Sequence, residues 1–378
     1  MHSERVYAPV VDGHNDLPWA LRQDFGYDIS AAGLDVGQPR LHTDIPRLGR
    51  GGVGAQFWSV FVPSTLTPEQ SVVATLEQID CVHRLVAAYP ETFEFTRTAA
   101  EVRAAVERGR IASLMGMEGG HSIAGSLAVL RAMAELGVRY MTLTHNDSLP
   151  WASSATGEGE DTGLSDFGRS VVVEMNRLGM IVDLSHVSER TMHDALDTTR
   201  APVMFSHSSC RSVCGHARNV PDAVLERLPD NGGLLMVTFV PKFVSEACRE
   251  HAEAVQAKRL ELGLPVGFHD VAPLEDPTAA EAFTVWLREH PAPKASIADV
   301  VRHLEHARDV VGPRHLGLGG DFDGVPELPE GMDGVAGYRP LLDALAERGW
   351  SRDELDALCF ENALRVLEAT EEAASPLA

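Results

Sequence analysis

The chain has 378 residues, 44% of them hydrophobic, and a formal net charge of −23. That length allows one large core, and α/β barrels often run past ~250 residues as a single unit. The acidic excess repels phosphate backbones and argues against a nucleic-acid partner; no apolar run reaches the ~18 residues of a membrane helix.

The N-terminus reads MHSERVYAPVV, without a positive stretch ahead of an apolar one, and the C-terminus EEAASPLA lacks a hydrophobic tail. The expected location is therefore the cytoplasm, with no membrane anchor. The five cysteines are Cys81, Cys210, Cys214, Cys248 and Cys359, and no CxxC occurs. Free, buried thiols are expected rather than a disulfide framework or a zinc finger.

Short apolar runs alternate with helical periodicity. Predicted strands cover Tyr7–Asp12, Gly54–Val62, Ile111–Met117, Tyr140–Thr144, Ile181–Ser185, Val203–Ser206, Leu234–Phe239 and Leu316–Gly319. Most are apolar on both faces, which suits parallel strands covered by helices. Predicted helices cover Pro68–Ala88, Ala124–Leu136 (stopped by Gly137), Ser165–Leu178, Ser188–Asp197, Pro221–Leu228 and Ile297–Val311. Eight strands with interleaved helices point to a single-domain (β/α)₈ TIM-type barrel, with a doubly wound open sheet as the alternative. One segment, Pro241–Ser296, interrupts the rhythm after the seventh predicted strand. It holds a charged helical stretch, Glu246–Leu262, and a Pro-rich part with Pro265, Pro273, Pro277, Pro291 and Pro293. A connection that long suggests a lid or a dimer contact.

A barrel gathers its chemistry at the C-terminal ends of its strands. Metal-type residues recur there in this sequence: Asp12-Gly-His14-Asn-Asp16, Glu118-Gly-Gly, Thr144-His145-Asn-Asp147, Asp183-Leu-Ser-His186, Ser206-His207-Ser208 and Asp321-Phe-Asp323-Gly324. One histidine at a strand end is usually structural. Six such ends converging on one mouth point to a metal site. His14 and Asp16, at i and i+2 of an extended segment, project to the same side. Imidazole and carboxylate donors suit Zn²⁺. His14, Asp16, Glu118, His186 and His207 are too many ligands for one tetrahedral site with an open position, so two ions are expected. A single glutamate can bridge two ions through its two oxygens, and Glu118 is the candidate.

In order along the chain stand VDGHNDLP (11–18), MEGG (117–120), LTHND (143–147), DLSHVS (183–188), FSHSS (205–209), RNVPD (218–222) and GLGGDFDG (317–324). This set resembles the membrane (renal) dipeptidase family of the amidohydrolase superfamily. The resemblance implies a zinc dipeptidase, with a C-terminal D-residue accepted in many members, and a homodimer. It implies His14 and Asp16 on one zinc, His186 and His207 on the other, and Glu118 on both. It implies that His145 stabilises the oxyanion and contacts substrate, that Arg218 binds the substrate carboxylate, and that Asp321 moves the proton. Many superfamily branches carry His-x-His after the first strand, and this chain has none. Others bridge their metals with a modified lysine. Lys242, Lys258 and Lys294, the three lysines, follow none of the relevant strands. A deaminase or lactonase, or a metal-binding barrel without catalysis, remains open.

Other polar residues are given lesser roles. His121 is expected to be structural, Asp323 to cap a turn, and Asp12 and Asp183 to orient imidazoles. His216, near Arg218 in sequence, is a lesser candidate for shaping the substrate pocket, and Cys210 and Cys214 are expected to hold no metal. His83, His303, His306 and His315 are expected on the surface.

Overall fold

The computed structural model describes residues 7–265 and 277–375. Its strands are β1 (Val10–Asn15), β2 (Val53–Phe61), β3 (Phe93–Phe95), β4 (Ile111–Glu118), β5 (Val138–Thr142), β6 (Ile181–Asp183), β7 (Val203–Ser208), β8 (Leu234–Val237) and β9 (Leu316–Leu318). Every pairing is parallel, in the order β2-β1-β9-β8-β7-β6-β5-β4. The β2–β4 pair closes the ring, running from Ala55 opposite Ala112 to Phe61 opposite Glu118. That closure makes a (β/α)₈ barrel and rules out the open doubly wound sheet.

The strands are apolar on both faces because one face lines the interior and the other meets the helices. Tyr140 on β5 lies across the interior against Gly116 of β4. An added Cβ at Gly116 would come within 1.9 Å of the Tyr140 ring, so only glycine fits there.

The helix Pro68–Ala88 starts as expected, on a Thr67/Gln70 capping box with Pro at its first turn. Ile297–Val311 also keeps its expected bounds, behind a Ser296/Asp299 box. Four expectations change. The first strand begins at Val10, after Pro9, and extends to Asn15. The expected helix from Ala124 starts only at Leu127, because Ala124 and Gly125 turn left-handed with φ 50° and 66°. Pro221–Leu228 is two short helices, Asp222–Leu225 and Leu228–Asn231, the second opened by Pro229. β3 was not expected; three residues are too short to show a period, and it pairs only with Ile111–Ser113 of β4.

Within the interrupting segment the helix Glu246–Glu261 appears as expected, and a further helix, Pro277–Glu289, follows its proline. Pro273 lies outside the described residues. Leu264, Ala279 and Phe283 form a small cluster apart from the main core. Helices Tyr338–Glu347 and Asn362–Ala373 then cover the outside of the barrel.

His303 is fully buried, not on the surface. Its Nδ1 accepts the Cys210 N–H at 3.0 Å, and its Nε2 donates to the Val244 carbonyl at 3.1 Å. That pattern requires the neutral ring, and burial above all pushes its pKa down to about 4. His83, His306 and His315 are half-buried. His303→Leu strands both backbone partners and is expected to cost about 2–4 kcal/mol at pH 7.5. In wild type the unfolded chain binds a proton below pH 6.5 that the native state refuses down to about 4. Wild-type stability is therefore lost as the pH is lowered through that window, and the gap between the two proteins should narrow. Urea titrations at both pH limits check this.

Candidate metal centre

Barrel geometry places each expected residue. Asp16 follows β1, Glu118 ends β4, and His145 lies just past β5. His186 follows β6, His207 sits near the end of β7, and Asp321 follows β9.

Glu118 is central. Its Oε2 lies 3.5 Å from His14 Nε2 and accepts a hydrogen bond from Ser59 Oγ at 3.2 Å. Its Oε1 lies 3.1 Å from His186 Nε2, 3.5 Å from His207 Nε2 and 3.8 Å from His145 Nε2. The two oxygens thus face different imidazoles. Asp16 Oδ2 lies 3.4 Å from His14 Nε2. Ligand atoms group within 4.8 Å of one another in three sets: His14, Glu118 and His207; Glu118, His145 and His186; His14, Asp16 and Asp321.

The donor set fits divalent cations. His14 Nε2 is buried and makes no hydrogen bond. His186 Nε2 and His207 Nε2 point at each other across 2.9 Å. Burial, then the charge of Arg218, holds His186 well below the usual histidine range. Burial, then His14 and Arg218, does the same for His207. Neutral imidazoles keep a lone pair for a metal. Burial pulls His145 down to about 4. Burial first, and the charge of Asp16 second, pushes Asp321 up to about 8.

The supporting contacts refine the expectations. Asp12 does not orient an imidazole. Its Oδ1 accepts the His14 N–H at 3.1 Å and the Gly320 N–H at 3.0 Å, tying the ends of β1 and β9 together. Asp183 reaches His207 indirectly: Ser206 Oγ donates to Asp183 at 2.6 Å and lies 2.8 Å from His207 Nδ1. His121 Nε2 donates to the Val62 carbonyl at 2.8 Å. Asp323 accepts the His42 N–H at 2.6 Å and pins that loop to the turn. His216 Nδ1 accepts the Arg218 N–H at 3.1 Å, and its ring packs on Phe243. The Cys210 and Cys214 thiols meet backbone carbonyls.

His186, Asp321 and Asp323 have φ of 69°, 59° and 63°. Each such residue costs about 1–2 kcal/mol, strain that recurs where side chains must be aimed. Gly324 lets two carboxylates close in: an added Cβ there would lie 2.2 Å from Asp16 Oδ2 and 2.6 Å from Asp321 Oδ1.

Arg218 is fully buried. Its Nη1 reaches Ser208 Oγ at 3.3 Å and its Nη2 the His207 carbonyl at 3.4 Å; its Nε has no partner. The guanidinium carbon stands 5.3 Å over the Phe243 ring. Burial pulls the group down to about 10, so it stays a cation at neutral pH. Among the described residues, no carboxylate forms an ion pair with it.

A model of the membrane dipeptidase family, peptidase family M19, matches residues 4–378. The chain belongs to this family. An uncharacterized dipeptidase of Schizosaccharomyces pombe is 42% identical over 98% of this chain and 83% of its own length. A metallopeptidase of Rhodobacter sphaeroides, solved with a phosphinate mimic of L-Ala-D-Ala, superposes with a TM-score of 0.77 and is 26% identical; 97% of this chain and 100% of that one are covered. The fold is shared with a probable dipeptidase of Pseudomonas aeruginosa at a TM-score of 0.83 and 21% identity, covering 97% of this chain and 96% of that one. This member of the metallo-dipeptidase family carries no helix, among the described residues, long and apolar enough to cross a membrane.

Three contributors to this dipeptidase centre escaped the sequence reading: Ser59, Tyr140 and Phe243. Each sits in an apolar or strand-like run, and only closure of the barrel brings it to the site. A polar residue inside such a run is the one available signal, and Ser59 and Tyr140 carry it.

Proposed function

We propose that the chain hydrolyses dipeptides, including those with a C-terminal D-residue, and that Arg218 holds the substrate's free carboxylate. The buried guanidinium without an ion pair carries this reading. An unpaired buried cation is costly, and a ligand carboxylate supplies the missing partner in bidentate form. A neutral lactone offers no such group. The D-residue part rests on the Rhodobacter relative, solved with a mimic of an L,D-dipeptide.

His14 and Asp16 would hold one Zn²⁺, His186 and His207 a second, and Glu118 would give one oxygen to each. When bound, two such ions acidify a water and polarise the scissile carbonyl. Arg218 orients the dipeptide. The neutral His145 donates to the oxygen of the tetrahedral intermediate, an effect worth roughly 3–4 kcal/mol at comparable sites. Bound cations would offset the burial and the Asp16 charge that raise Asp321, leaving a carboxylate that takes the proton from the attacking water and delivers it to the leaving amine. The chain works as one cytoplasmic domain, and 241–296 serves as a lid or a homodimer contact. The separate apolar cluster there and the exposed Leu260 and Val285 support a contact role.

A library of dipeptides in L and D forms, paired with their C-terminal amides, tests this. Turnover of free dipeptides is expected, with the amides at least about 100-fold poorer. A chelator should abolish turnover and Zn²⁺ restore it. Equal use of the amides would remove Arg218 from the mechanism, and activity that survives complete metal removal would remove the metals.

A further inference from the structure

His14 has two ring nitrogens, and they face different surroundings. Nε2 points to Glu118 and Asp16, at 3.5 and 3.4 Å. Nδ1 lies 2.8 Å from the Tyr140 hydroxyl. That hydroxyl also reaches the Gly13 carbonyl at 3.1 Å. Tyr140 is fully buried, with the Phe57 ring 5.3 Å from its own, and it owes its place to the missing side chain at Gly116.

Against burial, Tyr140, Glu118 and Asp16 hold His14 well above the usual histidine range, so its ring can carry both protons. A cation at Nε2 displaces one, and counting the protons that remain decides the arrangement. The phenol has one proton to give, and the Gly13 carbonyl can only accept. When the phenol donates to Gly13, its lone pair faces His14 Nδ1, which must then carry a proton. A neutral ring protonated at Nδ1 has its lone pair on Nε2. The opposite arrangement leaves the carbonyl without this donor and places the proton on Nε2, among the carboxylates.

We propose that Tyr140 is a positioning residue that locks His14 in the Nδ1–H tautomer and so keeps the Nε2 lone pair free for a metal ion. The inference rests on the reading of His14 as a ligand. His207 receives equivalent support from Ser206 and Asp183. His186 Nδ1 has no hydrogen-bond partner. Partners of this kind typically change metal affinity by about 10- to 100-fold.

Zn²⁺ affinity of the full-length protein and of Tyr140→Phe, measured by chelator competition, tests the proposal. The variant is expected to hold one ion about 10- to 100-fold more weakly, with the second little changed. A purely structural role would lower the melting temperature without changing zinc affinity. Proton–nitrogen NMR of the zinc-loaded wild type, labelled at histidine, gives a readout that needs no variant. It should show a slowly exchanging, hydrogen-bonded Nδ1–H on His14, and Tyr140→Phe should lose that protection. Equal zinc affinity in the two proteins, or a His14 without a proton on Nδ1, overturns the role of Tyr140 alone. Wild-type protein that binds no Zn²⁺ overturns the ligand reading and this inference with it.

Discussion

Arg218→Met is expected to lower kcat/KM for free dipeptides by about 10²- to 10³-fold. Truncating one partner of a buried charge pair costs about 2–5 kcal/mol, and each ~1.4 kcal/mol is a factor of ten. Methionine keeps an apolar contact with Phe243 and removes the charge, the fork and its two long contacts to Ser208 Oγ and the His207 carbonyl. The folded protein should not suffer: a buried guanidinium without an ion pair is gone, so the melting temperature should hold or rise. Activity and stability therefore move in different directions, which separates substrate anchoring from damage to the fold. Dipeptide amides, which lack the carboxylate, should respond little to the change. A uniform loss on acids and amides would mean that Arg218 serves the structure instead.

Glu118→Gln is expected to lower zinc content below two ions per chain and turnover by about 10³-fold or more, since charge stabilisation by bound metal is worth several kcal/mol. The substitution keeps shape and volume. It leaves one neutral oxygen and sets an N–H group against either Nε2 of His14 or the pair of His186 and His207. Only a carboxylate offers lone pairs on both sides. Metal analysis by mass spectrometry, run beside kinetics on the same preparation, checks both halves. Two tightly held ions in the variant would show that Glu118 does not bridge.

Much of the barrel was legible because two-sided burial writes continuous apolar runs into the strands. The helices Pro68–Ala88 and Ile297–Val311 were legible to the residue because capping residues mark their first turns. β3 was not, being too short for any period to show. The ligand-type residues were legible because a parallel barrel sends every strand's C-terminal end to one mouth. Their supports were not. His303 looked like a surface residue on an amphipathic helix, since only the fold shows the Cys210 and Val244 backbone groups waiting for it. Tyr140 looked like ordinary strand filling; its contact with His14 spans 126 positions and depends on a glycine in a different strand. Asp12 stands two residues before His14 and reads as its orienting partner. Its carboxylate turned to two backbone N–H groups because the ends of β1 and β9 lie side by side.

That junction joins the first strand of the chain to the last. Asp12 pairs with Leu318, the Asp16 N–H reaches the Phe322 carbonyl at 2.8 Å, and the Asp321 N–H reaches the His14 carbonyl at 3.2 Å. His14 and Asp16 leave the ribosome roughly 300 residues before the strand that completes their setting, a wait of about 15–60 s at ~5–20 residues/s. Throughout that wait, one edge of β1 has no neighbour and is open to pairing with other nascent chains. The cluster of His14, Asp16 and Asp321 is assembled only when the last strand docks. A product cut short before β9 would retain His14, Asp16, Glu118, His186 and His207, yet stay inert and prone to aggregate.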